Sequence, residues 1–229
     1  STAHGVKGML TALEGAVYRV ESGLRRGDGS RSQAAAEAVR TLVGRVRALV
    51  LNVLYYAKSR ELAPETVDVA AFATSMAQTV APKAAREGVL LETSIGADLG
   101  EMAVDAVNLQ AALVNILENA VDACVADTAK PAHRIAFRIS REGRTLVFDI
   151  EDNGMGMDQE TREKAFTLFF SSKGLRGTGL GLFIANDMVV KHGGSIALTS
   201  EPGVGTHFSV RIPETSPAPV EAVREASAS

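Results

Sequence analysis

The spacing of apolar residues in the first quarter of the chain constrains its fold most strongly. Val6, Leu10, Leu13, Val17, Val20 and Leu24 follow one another in alternating steps of four and three residues. That spacing is typical of the seam of a packed helix pair. After the break "RRGDGSRS", a second run has the same spacing at Val39, Val43, Val46, Val50, Val53 and Ala57. We therefore expect a helical hairpin, and two copies that pair into a four-helix bundle would bury its long apolar stripes.

Composition excludes several classes of protein. The 229 residues are 46% hydrophobic and 22% charged, which is enough for a buried core, and the net charge is −3 without a lysine or arginine cluster. A surface that neutralises a nucleic-acid backbone is therefore not expected. Cys124 is the single cysteine, so no disulfide can staple the fold. The sequence has neither a signal peptide nor an apolar run of about 18 residues, so we expect a cytoplasmic protein. Because no methionine begins the chain, we expect a piece of a longer one that could be membrane-anchored.

After Pro64 the pattern becomes that of a second domain. Asp68 can cap a helix that runs to about Arg86, and a second amphipathic helix is predicted from Val107 to about Ala126. Strands are predicted at "VLLETSI", "RIAFRIS", "TLVFDIED", "SIALTS" and "THFSVRIP", with a helix from Leu180 to His192. This order predicts an α/β sandwich, with helices on one face of a mixed sheet. The predicted domains are residues 1–62, the hairpin, residues 63–214, the α/β domain, and residues 215–229, a disordered tail.

The stretch "NILENAVDA" is a candidate cation site. On a helix, Asn115 and Asn119 are one turn apart, so both side chains project from one face. Two neutral oxygen ligands can hold a hydrated Mg²⁺ whose other ligands are phosphate oxygens and water. Taken alone, the two asparagines are explained more simply by an ordinary polar helix face.

The stretch "DIEDNGMGM" places a carboxylate at the tip of a strand. Asp152 ends the predicted strand, and Gly154 and Gly156 leave unhindered backbone beside it. Such a carboxylate can accept a hydrogen bond from an exocyclic amine such as that of adenine. The alternative is an ordinary turn after a strand.

The stretch "FFSSKGLRGTGLGL" is typical of a phosphate-binding loop. Gly177, Gly179 and Gly181 lead into a helix whose exposed N–H groups suit phosphate oxygens, and Lys173 lies nearby. The spacing partly mimics a dinucleotide fingerprint, but no strand immediately precedes it. The Gly-Lys-Ser/Thr sequence of a P-loop is absent.

Taken in order, the three stretches resemble the N, G1 and G2 boxes of the ATP-binding fold that histidine kinases share with gyrase-type topoisomerases, Hsp90 chaperones and MutL. "FTLFF" resembles the F box, and "KHGGSIALTSEPGVGTHFSVRIP" is similar to the C-terminal hairpin of the kinases. The resemblance implies that Asp152 binds the adenine amino group, that Asn119 coordinates Mg²⁺ beside Asn115, and that Thr206 lies near the adenine. It implies that Gly154 and Gly156 line the base pocket. The lid and phosphate loop would consist of Lys173, Gly177, Thr178, Gly179, Leu180 and Gly181.

One position distinguishes kinases from hydrolases in this superfamily. The ATPases usually carry a glutamate where this chain has Asn115, and an amide cannot act as a general base. The resemblance therefore favours phosphoryl transfer over ATP hydrolysis.

The hairpin then resembles the dimerisation and histidine-phosphotransfer domain of two-component sensor kinases, which needs a phosphate-accepting histidine. His4 is the candidate, since it lies on the first helix two residues before the seam residue Val6. We read the other three histidines as structural: His192 at a helix end, His207 in the last strand, and His133 in a loop after Pro131. The histidine box is atypical, because Gly5 stands where an acidic residue is usual and Met9 where a proline is usual.

The sequence therefore predicts the catalytic core of a sensor histidine kinase, using ATP and Mg²⁺ and working as a homodimer. His4 would be phosphorylated, with Asn115 and Asn119 in the catalytic site, and would pass its phosphoryl group to an aspartate of a response-regulator receiver domain. Two alternatives remain: an ATPase of the same superfamily, and a nucleotide-binding pseudokinase or adaptor, for which Gly5 is the best support.

Overall fold

The computed structural model describes residues 2–57, 62–168, 170–171 and 179–214. The described residues divide into two compact units. One unit holds those of Ser1–Arg60 and Lys164–Phe183, and the other holds those of Glu61–Glu163 and Ile184–Ser229.

Two long helices, α1 (Thr2–Arg25) and α2 (Gly29–Ala57), contact each other in the first unit. The break between them is shorter than the sequence suggested, because Ser30 and Ser32 already belong to α2. Asp28 starts the helix: its carbonyl accepts the Ser32 N–H at 3.1 Å, and its carboxylate accepts the Ser30 hydroxyl at 3.1 Å. Among the side chains that the structure describes here, Ala16, Ala35 and Leu42 are buried, whereas Val17, Tyr18, Leu24 and Val43 are exposed.

The second unit is built on a five-stranded sheet in the order β2-β4-β5-β7-β6. Its strands are β2 (Val89–Ile95), β4 (His133–Glu142), β5 (Thr145–Asp152), β6 (Ser195–Glu201) and β7 (Gly205–Pro213). β2 and β4 are parallel, and every other neighbouring pair is antiparallel. The predicted mixed sheet and all five of its predicted strands are confirmed.

One face of this sheet is covered by helices α3 (Val69–Arg86) and α4 (Ala106–Ala126). Phe137, Phe148 and Phe208, one from each of three adjacent strands, are completely or almost completely buried. Ion pairs such as Arg138 with Glu151 lie among half-exposed side chains elsewhere on the sheet. α4 is long and apolar enough by composition to cross a membrane, the one such helix in the described ranges, but eight of its residues are buried in this unit.

Three elements escaped the sequence analysis. Strands β1 (Glu65–Asp68) and β3 (Glu101–Val104) form a separate two-stranded antiparallel sheet, and α5 (Gln159–Lys164) is a short helix. Four-residue strands are too short for alternation to stand out in a sequence. The remaining helix, α6 (Gly181–Lys191), lies within the predicted range, and the predicted cap is confirmed, since Asp68 accepts the Ala71 N–H at 2.7 Å.

Candidate functional site

The two asparagines of "NILENAVDA" lie on one face of α4, as the sequence predicted. Both are half-buried, and the Asn119 amide nitrogen donates a hydrogen bond to Asn115 Oδ1 at 3.0 Å. This bond orients the Asn119 amide by engaging its nitrogen. The helix that carries them is fixed at its start, where Asp105 accepts the Asn108 N–H at 3.1 Å.

Asp152 is a buried carboxylate at the end of β5, with 5% of its surface exposed. Its Oδ1 accepts the Gly154 N–H at 2.9 Å, and the backbone of Thr206 also hydrogen-bonds to the carboxyl group. Burial nevertheless raises the pKa of Asp152 from 3.8 to about 6, because the ionised form loses its hydration. At neutral pH the ionised carboxylate of Asp152 is a buried hydrogen-bond acceptor with little water around it. An amine could donate a hydrogen bond to it.

The loop after Asp152 is held against the C-terminal part of α4. A Cβ at Gly154 would lie 2.5 Å from the carbonyl carbon of Ala123, so no larger residue fits there. The Met155 N–H donates to the Ala123 carbonyl at 3.1 Å, and Lys130 Nζ donates to the Gly154 carbonyl at 3.0 Å. The loop therefore positions Asp152 beside the helix that carries the asparagines.

On its other side the same loop packs against the β6–β7 turn. A Cβ at Gly156, whose φ is 67°, would lie 2.0 Å from the Glu201 carbonyl oxygen. A Cβ at Gly205 would lie 2.0 Å from the Asp152 carbonyl oxygen. The close backbone packing therefore requires glycine at position 156. This requirement holds in addition to the base-pocket role that the resemblance implies.

Thr206 lies directly beside Asp152. The two residues are register partners on β5 and β7, and Thr206 is 4% exposed. Ser200 on β6 is the next register partner of Thr206, and their hydroxyl oxygens are 2.9 Å apart. Thr206 therefore lies beside the carboxylate to which the resemblance assigns the adenine, and its own role near the base stays a prediction, whereas nothing in the sequence analysis singled out Ser200.

The glycine-rich segment is described only at its end. Gly179 has a φ of 65°, Leu180 is buried, and Gly181 begins α6. The predicted helix start is thus confirmed to within a residue. Lys173, Gly177 and Thr178 lie outside the described residues, and their assignment to a phosphate loop remains a prediction.

The structure describes the side chains of three of the four histidines. His4 belongs to α1, but its side chain lies outside what the structure describes. His207 is in β7, as predicted, and its Nε2 lies 2.9 Å from an Asp149 carboxylate oxygen. His133 was predicted in a loop, but it begins β4, where its backbone pairs with Val89 of β2.

His192 is more than the helix end that the sequence suggested. It is 1% exposed, its Nδ1 lies 2.7 Å from the Met188 carbonyl, and its Nε2 accepts the Asp105 N–H at 3.0 Å. Because a carbonyl only accepts, Nδ1 carries the proton and the ring is neutral. His192 thus joins the end of α6 to the start of α4. The sequence signal for it is weak, since only the following glycines mark the position.

Comparison with known proteins identifies the family. The family described as histidine kinase-, DNA gyrase B- and HSP90-like ATPase matches residues 104–216. The sensor histidine kinase ZraS of Klebsiella oxytoca is 31% identical over 212 residues, which cover 92% of this chain and 44% of the relative. The chain therefore spans less than half the length of that curated relative.

Two solved structures share the fold. Histidine kinase ThkA in complex with the response regulator TrrA has a TM-score of 0.69 at 18% identity, covering 94% of this chain and 60% of that one. Full-length ShkA in complex with AMPPNP has a TM-score of 0.66 at 22% identity, covering 83% of this chain and 40% of that one. Since the matched segment holds the asparagine pair, Asp152 and Thr206, the chain carries the ATP-binding catalytic domain of the sensor histidine kinase family.

Proposed function

We propose that this chain is the catalytic core of a sensor histidine kinase, which transfers the γ-phosphoryl group of ATP to His4 and then to an aspartate of a response-regulator receiver domain. The observation that carries the proposal is the buried Asp152 carboxylate, held by its loop against the helix of Asn115 and Asn119. By the resemblance, Asp152 and Thr206 would bind the adenine, and Gly179, Leu180 and Gly181 would belong to the segment that binds phosphate oxygens.

The asparagine pair fits a cation that is held partly by nucleotide phosphates. Within the described ranges, no three His, Cys, Asp or Glu side chains gather into a metal cage. The amide nitrogen of Asn119 donates a hydrogen bond to Asn115. The amide oxygen of Asn119 is a neutral oxygen ligand of the type that coordinates Mg²⁺. Bound there, Mg²⁺ would neutralise charge on the phosphates.

Asn115 cannot act as a general base, and this favours phosphoryl transfer over ATP hydrolysis. An amide can orient a neighbour but cannot take a proton from water. One imidazole nitrogen of His4 would instead attack the γ-phosphorus as the bond to the β-phosphate oxygen breaks and ADP leaves, and the other ring nitrogen would lose its proton to water. A neutral imidazole has a ring nitrogen with a free lone pair, which is the nucleophile in this step.

The N-terminal helices are proposed to form the dimer interface and the histidine-phosphotransfer hairpin. Val17, Leu24 and Val43 belong to the predicted apolar seams, yet each is at least 41% exposed in the single chain. Pairing of two hairpins as a four-helix bundle would bury these side chains. Sedimentation equilibrium should therefore give twice the chain mass of 24.0 kDa. A monomer at micromolar concentration would contradict this part of the proposal.

Labelling with γ-labelled ATP and Mg²⁺ tests the phosphotransfer. Wild type should acquire label that is acid-labile and base-stable, and His4→Gln should lose it, whereas His207→Gln, the matched control on β7, should retain it. Label that persists in His4→Gln would place the acceptor elsewhere. Phosphate release without protein-bound label would favour the ATPase, and nucleotide binding without either product would favour the pseudokinase.

A further inference from the structure

Three polar side chains form a row across adjacent strands of the sheet. Asp152 on β5 is in register with Thr206 on β7, which is in register with Ser200 on β6. Register partners project from the same face with Cβ atoms about 5 Å apart. Across the sheet, only Thr206 therefore lies between Ser200 and the carboxylate that would bind the base.

The contacts of Ser200 indicate the direction of the two hydroxyl protons, those of Ser200 and Thr206. Its Oγ lies 2.8 Å from the Met157 nitrogen, 3.0 Å from the Gly205 carbonyl oxygen and 2.9 Å from Thr206 Oγ1. A backbone N–H only donates, a carbonyl only accepts, and a serine hydroxyl has one proton and two lone pairs. The Ser200 proton therefore goes to Gly205, and the second lone pair of Ser200 takes the proton of Thr206.

This arrangement commits the only proton of the Thr206 hydroxyl to Ser200. Thr206 then offers lone pairs to a base that lies against Asp152, and an ionised Asp152 also only accepts. Two acceptors side by side match an exocyclic amine and disfavour a carbonyl oxygen at the same position. On this basis, which rests on the proposed binding of a purine at Asp152, we infer that Ser200 is a positioning residue that holds Thr206 as an acceptor and so favours 6-amino over 6-oxo purines.

Titration calorimetry of the whole chain with ADP and with IDP, both with Mg²⁺, tests this inference. Wild type should bind ADP more tightly. In Ser200→Ala the Thr206 hydroxyl can turn and donate to the 6-oxo group, so the ratio of the two dissociation constants should fall by about three- to tenfold. Ser195→Ala, the same change at an exposed position of β6, should leave the ratio unchanged, and Ser200→Thr, which keeps a hydroxyl, should preserve it.

The outcomes separate this inference from the proposed function. Failure of wild type to bind ADP would refute both. Binding of ADP by wild type with the same ADP-to-IDP ratio in Ser200→Ala would refute the role of Ser200 alone. If Ser200→Ala does not fold, Ser200→Cys keeps the volume but supplies only a weakly hydrogen-bonding thiol, and the same fall in the ratio is expected from it.

Discussion

Replacing Asp152 with asparagine should stabilise the nucleotide-free protein near pH 7.5 while weakening nucleotide binding. The wild-type carboxyl group is ionised at that pH although burial has raised its pKa from 3.8 to about 6. That difference corresponds to a cost of about 3 kcal/mol for keeping the charge in the folded state. Asparagine keeps an oxygen acceptor for the Gly154 N–H and removes the charge, so the substitution relieves much of this cost.

The pH dependence gives the sharper test, and its sign follows from the raised pKa. Between about pH 4 and pH 6 the folded protein binds the proton more tightly than the unfolded chain, so this group adds stability at low pH that is lost as the pH rises through about 6. Protonated Asp152 resembles asparagine. The stability advantage of Asp152→Asn should therefore shrink by about 1.4 kcal/mol between pH 7.5 and pH 5.

Urea unfolding of wild type and variant at the two pH values measures this difference. Glu151→Gln is the matched control, because Arg138 holds the pKa of Glu151 below its ordinary value and the pair is half-exposed. That control should lose about 1 kcal/mol or less at pH 7.5. An advantage of Asp152→Asn that is equal at both pH values, or larger at pH 5, would refute the argument. ADP affinity should fall about ten- to a hundredfold in Asp152→Asn, since a charge-assisted hydrogen bond is lost.

Three further perturbations test the packing around the site. His192→Ala should lower the free energy of unfolding by about 2–4 kcal/mol, because it leaves the buried Asp105 N–H without a hydrogen-bond partner. The control His207→Ala should lower it by about 1 kcal/mol or less. Urea titrations that give equal losses for the two variants would contradict the described hydrogen bonds. Gly154→Ala should weaken ADP binding at least tenfold in calorimetry, because its Cβ collides with backbone of α4, and unchanged affinity would show that the loop does not need this contact. Cys124 should resist iodoacetamide in the native protein and react on unfolding, since burial raises its pKa to about 12; rapid native alkylation detected by mass spectrometry would argue against this environment.

The elements with strong periodicity were predictable, and those defined by partners far along the chain were not. Alternation in "TLVFDIED" and the cap at Asp68 each depend on residues within one segment, so local spacing identified them. β1 and β3 exist because they pair with each other across more than 30 residues, and a four-residue strand leaves no pattern of its own.

The candidate site divides in the same way. Asp152 and the asparagine pair could be proposed from the sequence, because each is marked by residue types at a fixed spacing within one short segment. Ser200 was missed, and His192 was read only as a helix end, because the importance of both lies in hydrogen bonds to backbone atoms that are distant in sequence. No residue type or spacing records such a bond before the chain has folded.

The strand order has a consequence for how such a domain can change over time. Residues 153–194 run from the end of β5 to the start of β6, and both strands flank β7, which comes last in the chain. Insertions or deletions between α5 and α6, away from the tightly packed Gly154 and Gly156, alter the entropy of closing this connection only slowly with length, and they need not shift the register of the strands that carry Asp152 and Thr206. The length of the proposed phosphate loop and the proposed base-binding residues can therefore diverge independently. Under that proposal, a drug aimed at the base would meet a more constant surface than one aimed at the phosphates.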